Sequence, residues 1–119
     1  MTAIPVTPRA FCYDDIGKRQ VELAVRRFYR AAAKQLPEFK LQVHFNPGGI
    51  AVWGEVYARF TLAGRPVIEA WNTSFGPGNG PMLVRQWDGR NSGRNTYVNT
   101  LEEFVTRVRT LASQEFRRF

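Results

Sequence analysis

One histidine, one cysteine and ten scattered carboxylates are the side chains of this 119-residue chain that could carry acid–base, nucleophilic or metal chemistry. A catalytic thiol at Cys12 needs an activating base, and His44 is the only histidine to supply one. A metal site at His44 needs a second histidine, a nearby cysteine or a carboxylate cluster, and the spacing offers none. The acidic pairs have structural uses. Asp14 and Asp15 suit a helix start, Glu102 and Glu103 open a second helix, and Asp88-Gly89 is a turn signature. No Ser/His/Asp order stands out. The expectation is a non-enzymatic protein with no cofactor and no metal.

The remaining chemistry is stacking and charge. Residues 50–62 and 66–75 alternate with period two around the turn at Ala63-Gly64-Arg65. One set of alternating positions holds Ala58, Phe60, Ile68 and Ala70. The other holds Trp53, Tyr57, Arg59, Glu69, Trp71 and Phe75, with Val67 beside them. If Leu62 lies opposite Pro66, through a three-residue loop or a bulge, the apolar residues share one face. Arg59 then meets Glu69, Tyr57 meets Trp71, and Trp53 meets Phe75. A two-residue turn would slip the register by one and bring Glu69 among the apolar side chains, so the longer loop or bulge is expected. His44, Arg85 and Trp87 join the aromatic face if their strands pair alongside. Rings on an open sheet with basic neighbours can stack bases and hold phosphates.

Two further basic groupings stand out. Residues 76–95 are rich in Gly, Pro and Asn and carry Arg85, Arg90 and Arg94, matching neither a Walker loop nor a dinucleotide fingerprint. The first helix carries Arg19, Arg26, Arg30 and Lys34, a secondary basic ridge expected on the side opposite the aromatic face.

These residues must be positioned by a small set of elements. Residues 1–13 read as an extended, Pro-punctuated segment. Val21, Ala24, Val25, Phe28 and Ala32 recur at helical spacing, which predicts a helix over 14–36 ended by Pro37. The period then changes to two, which predicts an antiparallel sheet of four to five strands over 38–98, with a polar loop at 88–95. Thr100-Leu101-Glu102-Glu103 is a capping box. The apolar stripe Leu101, Phe104, Val105, Val108, Leu111, Ala112 and Phe116 predicts a helix over 100–117. The order α-β-β-β-β-α, with both helices on one sheet face, is an α+β fold in a single domain, 1–119.

Net charge is +7 and the pI about 10.3. Such a balance favours polyanionic partners. The leading expectation is a nucleic-acid-binding protein, for DNA or RNA, acting through Trp53, Tyr57, Arg59, Trp71, Phe75, Arg85, Trp87, Arg90 and Arg94. The alternative is a protein-interaction module that meets an acidic protein surface. In size and motif-poor basic character only, the chain resembles phage- or plasmid-type inhibitors of a host nucleoprotein or defence complex, of the anti-CRISPR kind. A third reading is a homodimer that buries the aromatic face. A lone cysteine and the lack of a long apolar run point to a cytoplasmic protein with no membrane partner.

Overall fold

The computed structural model describes residues 15–46, 55–73 and 82–118. The extended reading of 1–13, the proposed contributions of Trp53 and Phe75, the Pro47-Gly48-Gly49 part of a turn expected over 46–49, and a second turn expected over 76–81 lie outside them.

Helix α1 (Asp15–Gln35) buries Val25, Phe28, Tyr29 and Ala32, one stripe at spacings of three and four. Leu36, just past its end, is buried with them. Pro37 cannot continue the helix, and the chain turns with Phe39 N–H donating to the Leu36 carbonyl at 3.0 Å. Five antiparallel strands follow: β1 (Phe39–Asn46), β2 (Glu55–Leu62), β3 (Arg65–Thr73), β4 (Met82–Trp87) and β5 (Ser92–Val98). They form one sheet in the order β1-β2-β3-β4-β5. Helix α2 (Leu101–Ser113) closes the fold. Thr100 Oγ1 accepts from Glu103 N–H at 3.2 Å, while the Glu103 carboxylate accepts from Asn99 N–H, one residue earlier than a standard capping box.

Both helices pack on one face of the sheet, as expected for the α+β order. Phe104 of α2 lies against Phe28, Tyr29 and Phe60, with ring centroids 5.2, 6.0 and 5.8 Å away. Ala58, Ile68, Ala70, Met82, Val84 and Val98 complete the core floor. Burial pushes the Tyr29 hydroxyl far above its ordinary pKa, so it stays neutral.

The β2–β3 connection corrects the expected loop and keeps the expected face. Ala63 and Gly64 both have positive φ, 53° and 81°, so the turn has two residues, and Leu62 pairs with Arg65 rather than Pro66. A bulge between the Thr61–Pro66 and Phe60–Ile68 pairs absorbs the slip, leaving Val67 as the extra residue. Val67 therefore packs against the core instead of joining the aromatic face. Beyond the bulge the pairs are Arg59–Glu69, Ala58–Ala70 and Tyr57–Trp71.

Two boundaries also differ. The polar loop spans only 88–91, where Asp88 accepts from the backbone of Arg90 and Asn91 at 2.8 and 2.6 Å. Residues 92–98 form a strand, the first four of them where the polar loop was expected. Helix α2 stops at Ser113 instead of continuing to 117. The cause is Gln86, which is 2% exposed. The two hydrogens of its Nε2 are shared among the carbonyls of Leu111, Gln114 and Glu115, at 3.1, 3.2 and 3.1 Å. Its Oε1 accepts from Arg94 and Arg117 N–H at 3.0 and 3.1 Å. This amide draws the chain after α2 out of helical geometry and onto β5, where Gly93 bridges to Arg118.

Candidate nucleic-acid interface

The helix-free face of the sheet is organised in cross-strand rows. Consecutive pairings place His44, Tyr57, Trp71, Leu83 and Tyr97 in one line across all five strands. His44 stacks on Tyr57 with centroids 4.7 Å apart and 14° between planes, and Tyr57 stacks on Trp71 at 4.6 Å and 24°. The three rings stand side by side, so their inner faces are occupied by one another. Among the described residues, nothing stacks on the outer face of exposed His44, which sits on edge strand β1. At the far end Tyr97 is 60% exposed.

The next row is polar: Gln42, Arg59, Glu69, Arg85 and Asn95. Glu69 is buried and held between two guanidinium groups. Arg59 Nε donates to its Oε2 at 3.1 Å, and Arg85 donates to its Oε1 through Nε at 3.1 Å and Nη2 at 2.7 Å. Burial alone would raise the Glu69 pKa. The Trp71 indole N–H and the two arginines outweigh burial and hold it below its ordinary value. The Trp71 indole nitrogen is buried beside Glu69 and lacks a hydrogen bond of full geometry. Arg59 also lies over the rings of Tyr57 and Trp87, its Cζ 5.2 and 4.9 Å from their centroids.

The structure thus gathers Tyr57, Arg59, Trp71, Arg85 and Trp87 on one face. It does not bring Arg94 there. The β4–β5 bulge turns Arg94 to the helix side, where its Nε donates to the Glu115 carbonyl at 3.2 Å. Arg90 is exposed in the turn at 88–91. Arg26, Arg30 and Lys34 are exposed on α1, across the sheet from the aromatic row, while the side chain of Arg19 lies outside the described part. Sequence reasoning missed Leu83 and Tyr97. Alternation through Asn95 and Tyr97 was the available signal for Tyr97, masked by reading 88–95 as a loop.

Among the described residues, one cavity lies on this face and another at the end of the sheet beside α2. One of about 230 Å³ is lined by Lys40, Gln42, Arg59, Thr61 and Gly64. The other, about 440 Å³, lies between the β2–β3 turn and the end of α2, against Trp87, Leu111 and Phe116. Among the described residues no cluster of His, Cys, Asp or Glu could hold a metal ion, and no helix is long and apolar enough to cross a membrane. Compared with known proteins, the chain matches no family model, no curated protein and no solved structure.

Proposed function

We propose that this protein is a non-enzymatic binder of single-stranded nucleic acid, and that the strand contacts the helix-free face of the sheet. The observation that carries the reading is the stacked series His44–Tyr57–Trp71, continued in register to the exposed Tyr97. An unpaired base placed on the outer face of His44 extends a stack that already exists, at little ordering cost to the protein. Such base–ring contacts are worth about 1–3 kcal/mol each by alanine substitution. Lys40, Arg59 and Arg85 lie on the same face, and the net charge of +7 adds long-range attraction.

The test is fluorescence anisotropy with labelled single-stranded and duplex oligonucleotides at about 50 and about 200 mM salt. His44→Ala removes an exposed ring, so the fold stays intact. The expected result is at least about fivefold weaker single-strand binding, the equivalent of about 1 kcal/mol. Equal binding of duplex and single strand, or unchanged affinity in the variant, refutes the reading.

A second reading has its own observation. The exposed cations Arg26, Arg30 and Lys34 line α1 on the opposite side of the molecule and suit an acidic protein surface. That reading expects nucleic-acid binding that is weak, unselective and abolished by salt, together with one stoichiometric protein partner.

A further inference from the structure

The smaller cavity beside the aromatic row has the chemistry of a phosphate subsite. Its side chains come from two adjacent cross-strand pairs, Lys40–Thr61 and Gln42–Arg59. They supply two cations, an amide and a hydroxyl, and no carboxylate lines it. Glu69 takes the Nε edge of Arg59 and holds the guanidinium in place, while no carboxylate among the described residues pairs with Lys40. Gly64 forms the remaining wall. It has φ +81° and open space where a Cβ would stand, so a ligand can approach the bare backbone of the turn. At about 230 Å³ the space falls below the roughly 300–1,000 Å³ of sites that enclose a drug-sized molecule. It suits a single oxyanion group.

We infer that the Lys40–Gln42–Arg59–Thr61–Gly64 cavity binds one backbone phosphate of the strand whose bases continue the His44 stack. This inference rests on the single-strand reading and adds a register to it. Successive residues on one face of a strand are about 7 Å apart, and Lys40, Gln42 and His44 follow one another along β1. A phosphate in the cavity and a base on His44 therefore belong to the same or adjoining nucleotides. The strand would run along β1 and β2 toward the Ala63-Gly64 turn rather than across the middle of the sheet.

The experiment measures anisotropy with a labelled oligo-dT single strand over a series of salt concentrations. It compares the wild type with Lys40→Gln, Thr61→Val, His44→Ala and a control at Arg107, an exposed cation of α2. Lys40→Gln should weaken binding about three- to tenfold and flatten the log–log salt dependence by about 0.7, the contribution of one phosphate contact on a single strand. Thr61→Val keeps shape and charge, so a loss of about threefold there reports a positioned oxyanion. Arg107→Gln should match the wild type. If Lys40→Gln and Arg107→Gln weaken binding equally, or Thr61→Val has no effect, the attraction is diffuse charge and the subsite is overturned. A persisting His44→Ala defect would then leave the stacking face standing. Failure of the wild type to bind any single strand overturns both.

Discussion

Replacing Glu69 by glutamine tests whether a buried carboxylate organises the basic half of the candidate face. In the wild type three N–H groups of Arg59 and Arg85 donate to it, at 3.1, 3.1 and 2.7 Å. Glutamine keeps one carbonyl oxygen for one arginine and turns an NH2 group toward the other, setting donor against donor. Hydrogen bonds to charged groups contribute about 1.5–3 kcal/mol each, and an unpaired buried charge costs more. Here the side chains of Arg59 and Arg85 are 39% and 26% exposed, so water can take up part of what they lose. The expected cost is about 2 kcal/mol at neutral pH. For a domain of this size that lowers Tm by about 6–10 °C.

The pH dependence makes the test specific. The Glu69 pKa is held below the ordinary glutamate value in the folded state, so the ionised carboxylate stabilises the fold fully above the unfolded-state carboxylate range. That contribution is lost as pH falls through the folded-state pKa. The difference between wild type and Glu69→Gln, measured by urea unfolding from neutral to acid pH, should therefore shrink on acidification. A variant as stable as the wild type at neutral pH, or a deficit that stays constant as pH falls, would refute the reasoning.

Two further predictions concern the junction of β4, β5 and the chain after α2. A Cβ on Gly93 would lie 2.7 Å from Gln86 Oε1, 2.8 Å from a Phe116 ring carbon and 2.9 Å from the Arg117 carbonyl. Gly93→Ala should destabilise by about 1–3 kcal/mol in thermal or urea unfolding, and a neutral result would show that the tail can move aside freely. Gln86→Glu keeps the two accepted hydrogen bonds and loses every donated one, leaving carbonyls at the end of α2 facing a carboxylate. It should cost about 2–4 kcal/mol at neutral pH and recover in part when acid protonates the side chain, whereas an unchanged unfolding curve would refute the role given to the amide.

The fold order was legible because apolar period changes cleanly at Pro37 and again at Thr100, and each change carries its own stop or cap. The Arg59–Glu69 and Tyr57–Trp71 pairings were legible because only one register keeps Glu69 out of the apolar set. The route to that register was not. Gly64 allows a two-residue turn, and the bulge at Val67 depends on the fit of two strands to the core. The end of α2 was hidden for a related reason. Phe116 continues the helical stripe, yet the carbonyls before it bond to Gln86, 25 to 29 residues earlier in the chain. Arg94 was assigned to a loop by its Gly, Asn and Ser neighbours, but strand pairing with β4 overrode that composition. Sequence also counted Arg59 and Arg85 as two available charges, whereas Glu69 takes hydrogen bonds from both and offsets one of them.

The position of Phe104 bears on how the protein is made. The five antiparallel strands can pair as they emerge from the ribosome, since every strand neighbour is also its neighbour in sequence. The apolar side of that sheet stays open until α2 has cleared the exit tunnel, because Phe104 is the ring that joins Phe28, Tyr29 and Phe60. The nascent chain therefore passes through an interval in which a paired sheet displays Phe60, Ile68 and Val84 without the cover of α2. During synthesis, this is the stage at which a chaperone has most to bind and aggregation is most easily seeded.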